Sequence, residues 1–393
     1  MSRNGTQDKG HLLALDGARG LAVLSVMFFH FFQRESFNSF AAGRVLQSLS
    51  HMGQSGVDLF FVLSGFLITG ILWDSKGSPH YFRNFYGRRI LRIFPLYYAS
   101  LVFFYFMAPF ISSMAHFEPL KNQMWAWLYA VNIHSTFLPY STANVPGHFW
   151  SLSVEEHFYF VWPAIVLLCN RRQLFGAAIA CIAIAMASRV GLQHYGFSVF
   201  SFTLCRLDAL AIGAMLALLV RSANGFASLS ALRPRWWLAG LLIAVAPLWI
   251  RFSGAANPLL QVVKFSMVAL MYGALVAALL DPAKPMLGRI FSNPFLRTFG
   301  KYSYGLYVWD GMLQSSILAP IDSPAALSRF VHSPPLLMIF CLVVQFSVSF
   351  AIAFASWHLL EKHFLKLKRF FPNERPTKPE AVIAPMNVVP VAS

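Results

Sequence analysis

Residues 15–32 read LDGARGLAVLSVMFFHFF, an apolar run broken by ionisable side chains only at Asp16, Arg19 and His30. With Gln33 it has the length of a membrane crossing, which takes about 20 mostly apolar residues. Arg19 and His30 are eleven residues apart, about three turns at 100° per residue, so they share one helix face at a separation of roughly 16 Å. Asp16 falls within about 40° of that face. The run therefore reads as a spanning helix with an arginine at its boundary and a histidine near the bilayer midplane above it.

The rest of the chain agrees with that environment. Of 393 residues, 57% are hydrophobic and 12% charged, against roughly 25% charged in soluble domains, and the mean hydropathy is +0.57. The ruler of about 20 residues finds about ten spans, at 17–33, 55–74, 90–112, 150–169, 174–191, 203–221, 236–252, 259–280, 302–320 and 334–360. The fold class is all-α and polytopic. Trp125–Val131 (WAWLYAV) is too short to cross and reads as an interfacial or re-entrant helix. The first 20 residues lack a small-residue cleavage pattern, so the first run is expected to stay in the membrane. No internal repeat is evident.

The formal charge of +16 would suggest nucleic acid in a soluble protein, but the basic residues sit in short loops between apolar runs, where they set orientation. With the N-terminus inside, roughly three quarters of the 31 Lys and Arg face the cytoplasm. Both termini are then cytoplasmic, and the expected location is the inner (cytoplasmic) membrane. The expected domains are a membrane domain over 1–370 and a disordered, Pro-rich cytoplasmic tail over 371–393. Cys169, Cys181, Cys205 and Cys341 lie in apolar segments without CxxC spacing, as buried structural thiols would.

Ionisable groups inside spans are costly and mark sites or proton paths. His30 is either a buried histidine bonded to a neighbouring helix or a general base for a hydroxyl, the chemistry a near-neutral imidazole suits. In SGVDLFFVLSGFLITG (55–70) Asp58 either caps its helix or orients His30. A naive depth ruler separates Asp58 and His30 by roughly 10 Å, so contact would need the second span to begin below the surface. Ser64-Gly65 reads as a packing pair, since a nucleophile elbow needs a strand before it. YFRNFYGRRILRIFPLYY (81–98) gathers Arg83, Arg88, Arg89 and Arg92 at the cytoplasmic edge. Orientation alone explains such a cluster, yet Arg92 lies within the apolar ruler, where a guanidinium needs an anion such as phosphate.

HFWSLSVEEHFYFVWP (148–163) puts His148, Trp150, Ser151, Ser153, Glu155, Glu156, His157 and Tyr159 toward the outer face. The spacing is not HExxH and the three adjacent ionisable groups point 100° apart, so no metal site is expected. Arg206 and Asp208, in CRLDALAIGA (205–214), enter from the same side, as an internal ion pair or as part of a site.

Together these segments resemble the acyltransferase 3 family, membrane O-acyltransferases that decorate glycans. LDGARGLAVLSVMFFH, GVDLFFVLSGFLI, FYGRRILRIFPLYY, HFWSLSVEEHFYFVWP, RLDALAIGAMLA and KYSYGLYVWD stand in the family's order over nearly the whole chain. The resemblance implies cytoplasmic acyl-CoA, acetyl-CoA first, as co-substrate with no tightly bound cofactor. It further implies a carbohydrate or glycolipid acceptor on the outer side, His30 as catalytic base, and Arg89 and Arg92 as the RxxR pair. On that basis the candidate catalytic residues are His30, Asp58 and Glu155. Donor binding is expected from Arg19, Arg88, Arg89 and Arg92, and the acceptor or oxyanion side from Trp150, Ser153, Tyr159, Arg206 and Asp208.

The chain departs from the family pattern at Asp310, where His is common, and at Glu361-Lys362-His363, where Glu-x-Pro is common. Many relatives carry a further soluble domain, so transfer is expected to be completed by the membrane domain alone. Two other classes fit part of the pattern: a proton-coupled transporter using the same intramembrane groups, and a non-catalytic scaffold. No nucleic-acid partner is expected.

Overall fold

The computed structural model describes residues 4–34, 37–111, 117–139, 142–222, 225–251, 258–281, 286–313, 327, 328 and 330–372. The first helix, α1 (Asn4–Arg34), carries Arg19 and His30 on one uninterrupted rod. A short α2 (Ala41–Ser50) leads through a 3₁₀ turn, His51–Ser55, into α3 (Gly56–Asp74). Next come α4 (Tyr81–Val102), a π-helical turn at Phe103–Met107, α5 (Ala108–Ile111), α6 (Leu120–Trp127) and α7 (Val131–Phe137). A 3₁₀ turn, Gly147–Phe149, opens α8 (Trp150–Leu168), and α9 (Arg171–His194) and α10 (Thr203–Val220) follow. The remaining helices are α11 (Gly225–Ala231), α12 (Pro234–Arg251), α13 (Pro258–Leu280), α14 (Met286–Phe291), α15 (Pro294–Leu313), α16 (Pro334–Ser356) and α17 (Lys362–Lys366).

Among the described residues there is no strand, as expected of an all-α chain. Seven helical stretches are long and apolar enough to cross a membrane: Leu13–Gln33, Ala41–Asp74, Tyr81–Ile111, Arg171–His194, Thr203–Val220, Leu260–Leu280 and Pro334–Phe370. Each of the spans read from the sequence falls on a helix, but three miss this measure. The span at 150–169 carries Glu155, Glu156 and His157, the side chains of the one at 236–252 are described only to Val245, and 302–320 is described only to Leu313. The tail beyond Pro372 also lies outside the described residues. Trp125–Val131 is not one helix: the chain breaks between α6 and α7 at Tyr129, whose φ is 55°.

Two close crossings hold the site's helices together. In lipid there is little hydrophobic force between helices, so association depends on close backbone approach at small residues. Gly17 and Gly20 of α1 lie against the Phe291 and Leu296 carbonyls, and Gly300 of α15 lies against the Asp16 carbonyl. A side chain at any of these would collide with backbone, so α1 is locked in one register against α14 and α15. The same device joins α3 to α10, where Gly65 meets the Leu210 carbonyl and Gly213 meets the Val62 carbonyl. α8 joins α3 through Trp162, whose indole N–H donates to Thr69 Oγ1 at 2.8 Å. All four cysteines are free thiols.

Candidate active site

The α1–α15 register sets the first feature of the site. His30 Nδ1 lies 3.0 Å from Asp310 Oδ2, and Ser349 Oγ of α16 donates to the other carboxylate oxygen at 3.2 Å. Asp310 is buried, whereas the His30 side chain is 18% exposed. In the tautomer that donates Nδ1–H to the carboxylate, Nε2 carries the lone pair that a general base requires. His30 faces a cavity of about 230 Å³ whose wall includes Gln33, Gln54, His148, Trp150 and Phe200.

His148 stands in the 3₁₀ turn ahead of α8, its ring centroid 6.5 Å from that of His30. Its Nε2–H donates to the Val308 carbonyl at 3.1 Å. Burial, and then the nearby His30, push its pKa down to about 4, so it stands beside His30 as a neutral imidazole.

A second cavity, of about 380 Å³, lies farther along the bundle on the Arg19 side of α1. Its wall includes Arg19, Arg88, Arg89, Arg92 and Lys368. Among the described residues, Arg19, Arg89, Arg92 and Lys368 have no carboxylate within ion-pair distance. Glu155 and Glu156 line the same space and are outnumbered. Cations gathered at this depth without salt bridges make a site for a multiply charged anion. Arg89 sits over the rings of Tyr159 and Phe85 at 5.3 and 5.9 Å. Arg88 Nη1 donates to the Phe371 carbonyl at 2.9 Å, so the end of the described chain packs back against α4.

The four arginines expected to bind the donor line one cavity, and Trp150 lines the His30 cavity. Other expected residues stand elsewhere. Asp58 does not reach His30: its Oδ1 accepts from Arg206 Nη2 at 2.5 Å, both side chains being buried. The carboxylate on His30 belongs to Asp310 instead. Arg206 faces neither cavity. It packs behind the Trp150 and Phe200 rings, 5.6 Å from each, and lies 4.3 Å from the Phe265 ring centroid. Asp208 is the partner of the buried Arg189 and also accepts from Ser266 Oγ at 2.7 Å. Both residues thus take the internal ion-pair reading.

Ser153 donates to the Phe149 carbonyl of its own helix at 3.1 Å and lines neither cavity. Glu155 and Tyr159 belong with the arginines rather than with Trp150. The cause is the course of α8, which advances 1.5 Å per residue: Glu155 is about 7.5 Å and Tyr159 about 13.5 Å beyond Trp150. Tyr159 donates to Glu155 Oε2 at 3.1 Å and is bonded to Ser64 Oγ at 2.5 Å. The sequence alone does not single out Lys368 or Tyr307. The cluster of basic residues at 362–369 was the only signal for Lys368, and it reads equally well as positive-inside anchoring.

Residues 12–354 match the sequence model of the acyltransferase domain, acyltransferase 3. The chain belongs to the acyltransferase 3 family. Peptidoglycan O-acetyltransferase OatA of Listeria monocytogenes is 30% identical over 79% of this chain and 50% of its own length. A Bacillus subtilis protein named "Putative peptidoglycan O-acetyltransferase YrhL" is 27% identical over 91% of this chain and 55% of its own. The chain thus spans about half the length of the curated relatives it matches. No solved structure matches it.

Proposed function

We propose that the protein transfers an acyl group, acetyl in the first instance, from cytoplasmic acyl-CoA to a hydroxyl of a carbohydrate acceptor on the opposite side of the inner membrane. The observation that carries this reading is the stacking of two unlike cavities along α1, one lined by cations that form no ion pair among the described residues and one by a histidine bonded to a buried carboxylate. The positive-inside count and the depth of the ionisable groups support the sidedness.

In this account Arg19, Arg88, Arg89, Arg92 and Lys368 hold the phosphates and nucleotide end of CoA. The pantetheine arm runs along α1 and brings the thioester toward His30. The charged part of the donor never enters the apolar core, where its cost would be prohibitive. An acceptor hydroxyl in the other cavity gives its proton to His30 Nε2 as its oxygen attacks the thioester carbon. Asp310 holds the Nδ1–H tautomer and stabilises the imidazolium that forms. The tetrahedral oxyanion takes hydrogen bonds from donors on that wall, the Trp150 indole and the Gln33 and Gln54 amides. The carbon–sulfur bond then breaks, and the departing thiolate takes the proton back from His30.

The relatives' names suggest glycan strands of peptidoglycan as acceptor class, with other envelope polysaccharides and glycolipids as competitors. The test is release of free CoA from acetyl-CoA by the purified full chain. Release that rises on addition of soluble peptidoglycan glycan fragments and disappears in His30→Ala supports the account. A chain that moves substrate across vesicles without consuming thioester is a transporter instead.

A further inference from the structure

Among the described residues, two line both cavities, Val57 of α3 and Tyr307 of α15. Val57 is small, and Tyr307 supplies the bulk between the two spaces. The phenol ring is buried at 7% exposure and stands on the path from the arginines to His30. Its hydroxyl donates to the His148 carbonyl at 2.8 Å and is also hydrogen bonded to Ser151 Oγ. The ring meets Phe60 edge-on at 6.2 Å and the His148 ring at 5.7 Å.

We propose that Tyr307 is a movable partition between the donor and acceptor cavities, which keeps the thioester apart from His30 and from water until an acceptor is seated. The inference rests on the donor and acceptor reading of the two cavities. The chemical need is specific. A base that activates a sugar hydroxyl also activates water. Water attack would form a bond from its oxygen to the acyl carbon and break the carbon–sulfur bond. The water proton would pass through His30 to the thiolate, and acetate and CoA would be the products. A passage that stood open would therefore waste donor.

The latch suits the task. Tyr307 is held by hydrogen bonds and ring contacts rather than by an ion pair, and rotation about its Cα–Cβ bond would clear the path. Its partners, Ser151 and the His148 carbonyl, lie in the segment whose Gly147, His148 and Trp150 wall the acceptor cavity. An acceptor pressing on that wall is what would release the ring, which couples opening to occupancy.

The experiment uses the purified full chain with [¹⁴C]acetyl-CoA. CoA thiol release is measured without acceptor, and acetyl transfer is measured with soluble peptidoglycan glycan fragments. Tyr307→Ala is expected to raise acceptor-independent release by about tenfold or more and to lower the ratio of transfer to hydrolysis. Tyr307→Phe keeps the ring and loses the latch, so its hydrolysis should rise by about threefold with transfer retained. A general packing defect would lower both rates together, and the phenylalanine variant decides the matter where the alanine variant does not fold. If the wild type transfers acetyl and the folded variants keep its low hydrolysis, the partition is wrong while the donor and acceptor reading stands. A wild type that consumes no acetyl-CoA with acceptor present overturns both.

Discussion

His30 Nδ1 lies 3.0 Å from Asp310 Oδ2 across 280 residues of sequence. The pairing depends on α1 and α15 approaching at backbone distance through Gly20 and Gly300. In the proposed mechanism this contact holds the imidazole in the tautomer that a base needs.

Replacing His30 with Gln should remove transfer and leave donor binding. General-base catalysis contributes about 10²–10⁴-fold, and a loss of that order in kcat with unchanged acetyl-CoA affinity is expected. Turnover by His30→Gln equal to wild type would remove the base assignment.

Asp310→Asn keeps the shape and loses the charge that fixes Nδ1–H. An amide can present either a donor or an acceptor to the ring, so the tautomer is no longer imposed. A fall in kcat of about 10–100-fold is expected, the range seen when a partner that orients a histidine is removed, with little change in the KM for acetyl-CoA. An effect confined to KM would place Asp310 in binding instead.

Arg89→Ala, Arg92→Ala and Lys368→Ala should each weaken acetyl-CoA binding. A hydrogen bond to a charged group is worth about 1.5–3 kcal/mol, and equilibrium binding of desulfo-CoA measures the loss directly. Affinity in the variants should also fall less steeply with salt than in the wild type, because one cation fewer meets the phosphates. Wild-type affinity in all three would leave these residues as orientation anchors.

Asp58→Asn tests a different kind of role. Asp58 and Arg206 form a buried ion pair at 2.5 Å, and breaking such a pair from one side costs about 3–5 kcal/mol. Thermal unfolding in detergent should show a marked loss of stability for Asp58→Asn and none for His30→Gln. Equal melting of Asp58→Asn and wild type would return Asp58 to consideration as a site residue.

The parts of this picture legible in the sequence were those set by local period. The shared face of Arg19 and His30, the helical class and the arginine cluster all follow from residues on one helix or at one loop. Pairings between distant helices were not legible. A depth ruler could not show that Asp58 would find Arg206, or that the carboxylate for His30 would come from the far end of α15. Glu155 and Tyr159 were assigned by the end at which α8 begins, whereas the helix carries them toward the arginines turn by turn. Lys368 lies beyond the last span, where a basic residue has an ordinary explanation. The order of six motifs carried the family, while the roles within each motif needed the contacts.

Two cavities facing opposite ends of α1, with His30 between donor and acceptor, form the central claim. It is tested most directly in sealed vesicles holding the chain in one known orientation, with acetyl-CoA and soluble peptidoglycan glycan fragments each confined to one side. The account predicts that CoA is released only when acetyl-CoA is on the cytoplasmic face and that the acetylated glycan forms on the other. Acetylation of glycan confined to the cytoplasmic face, with none when it is confined to the opposite side, would contradict the account.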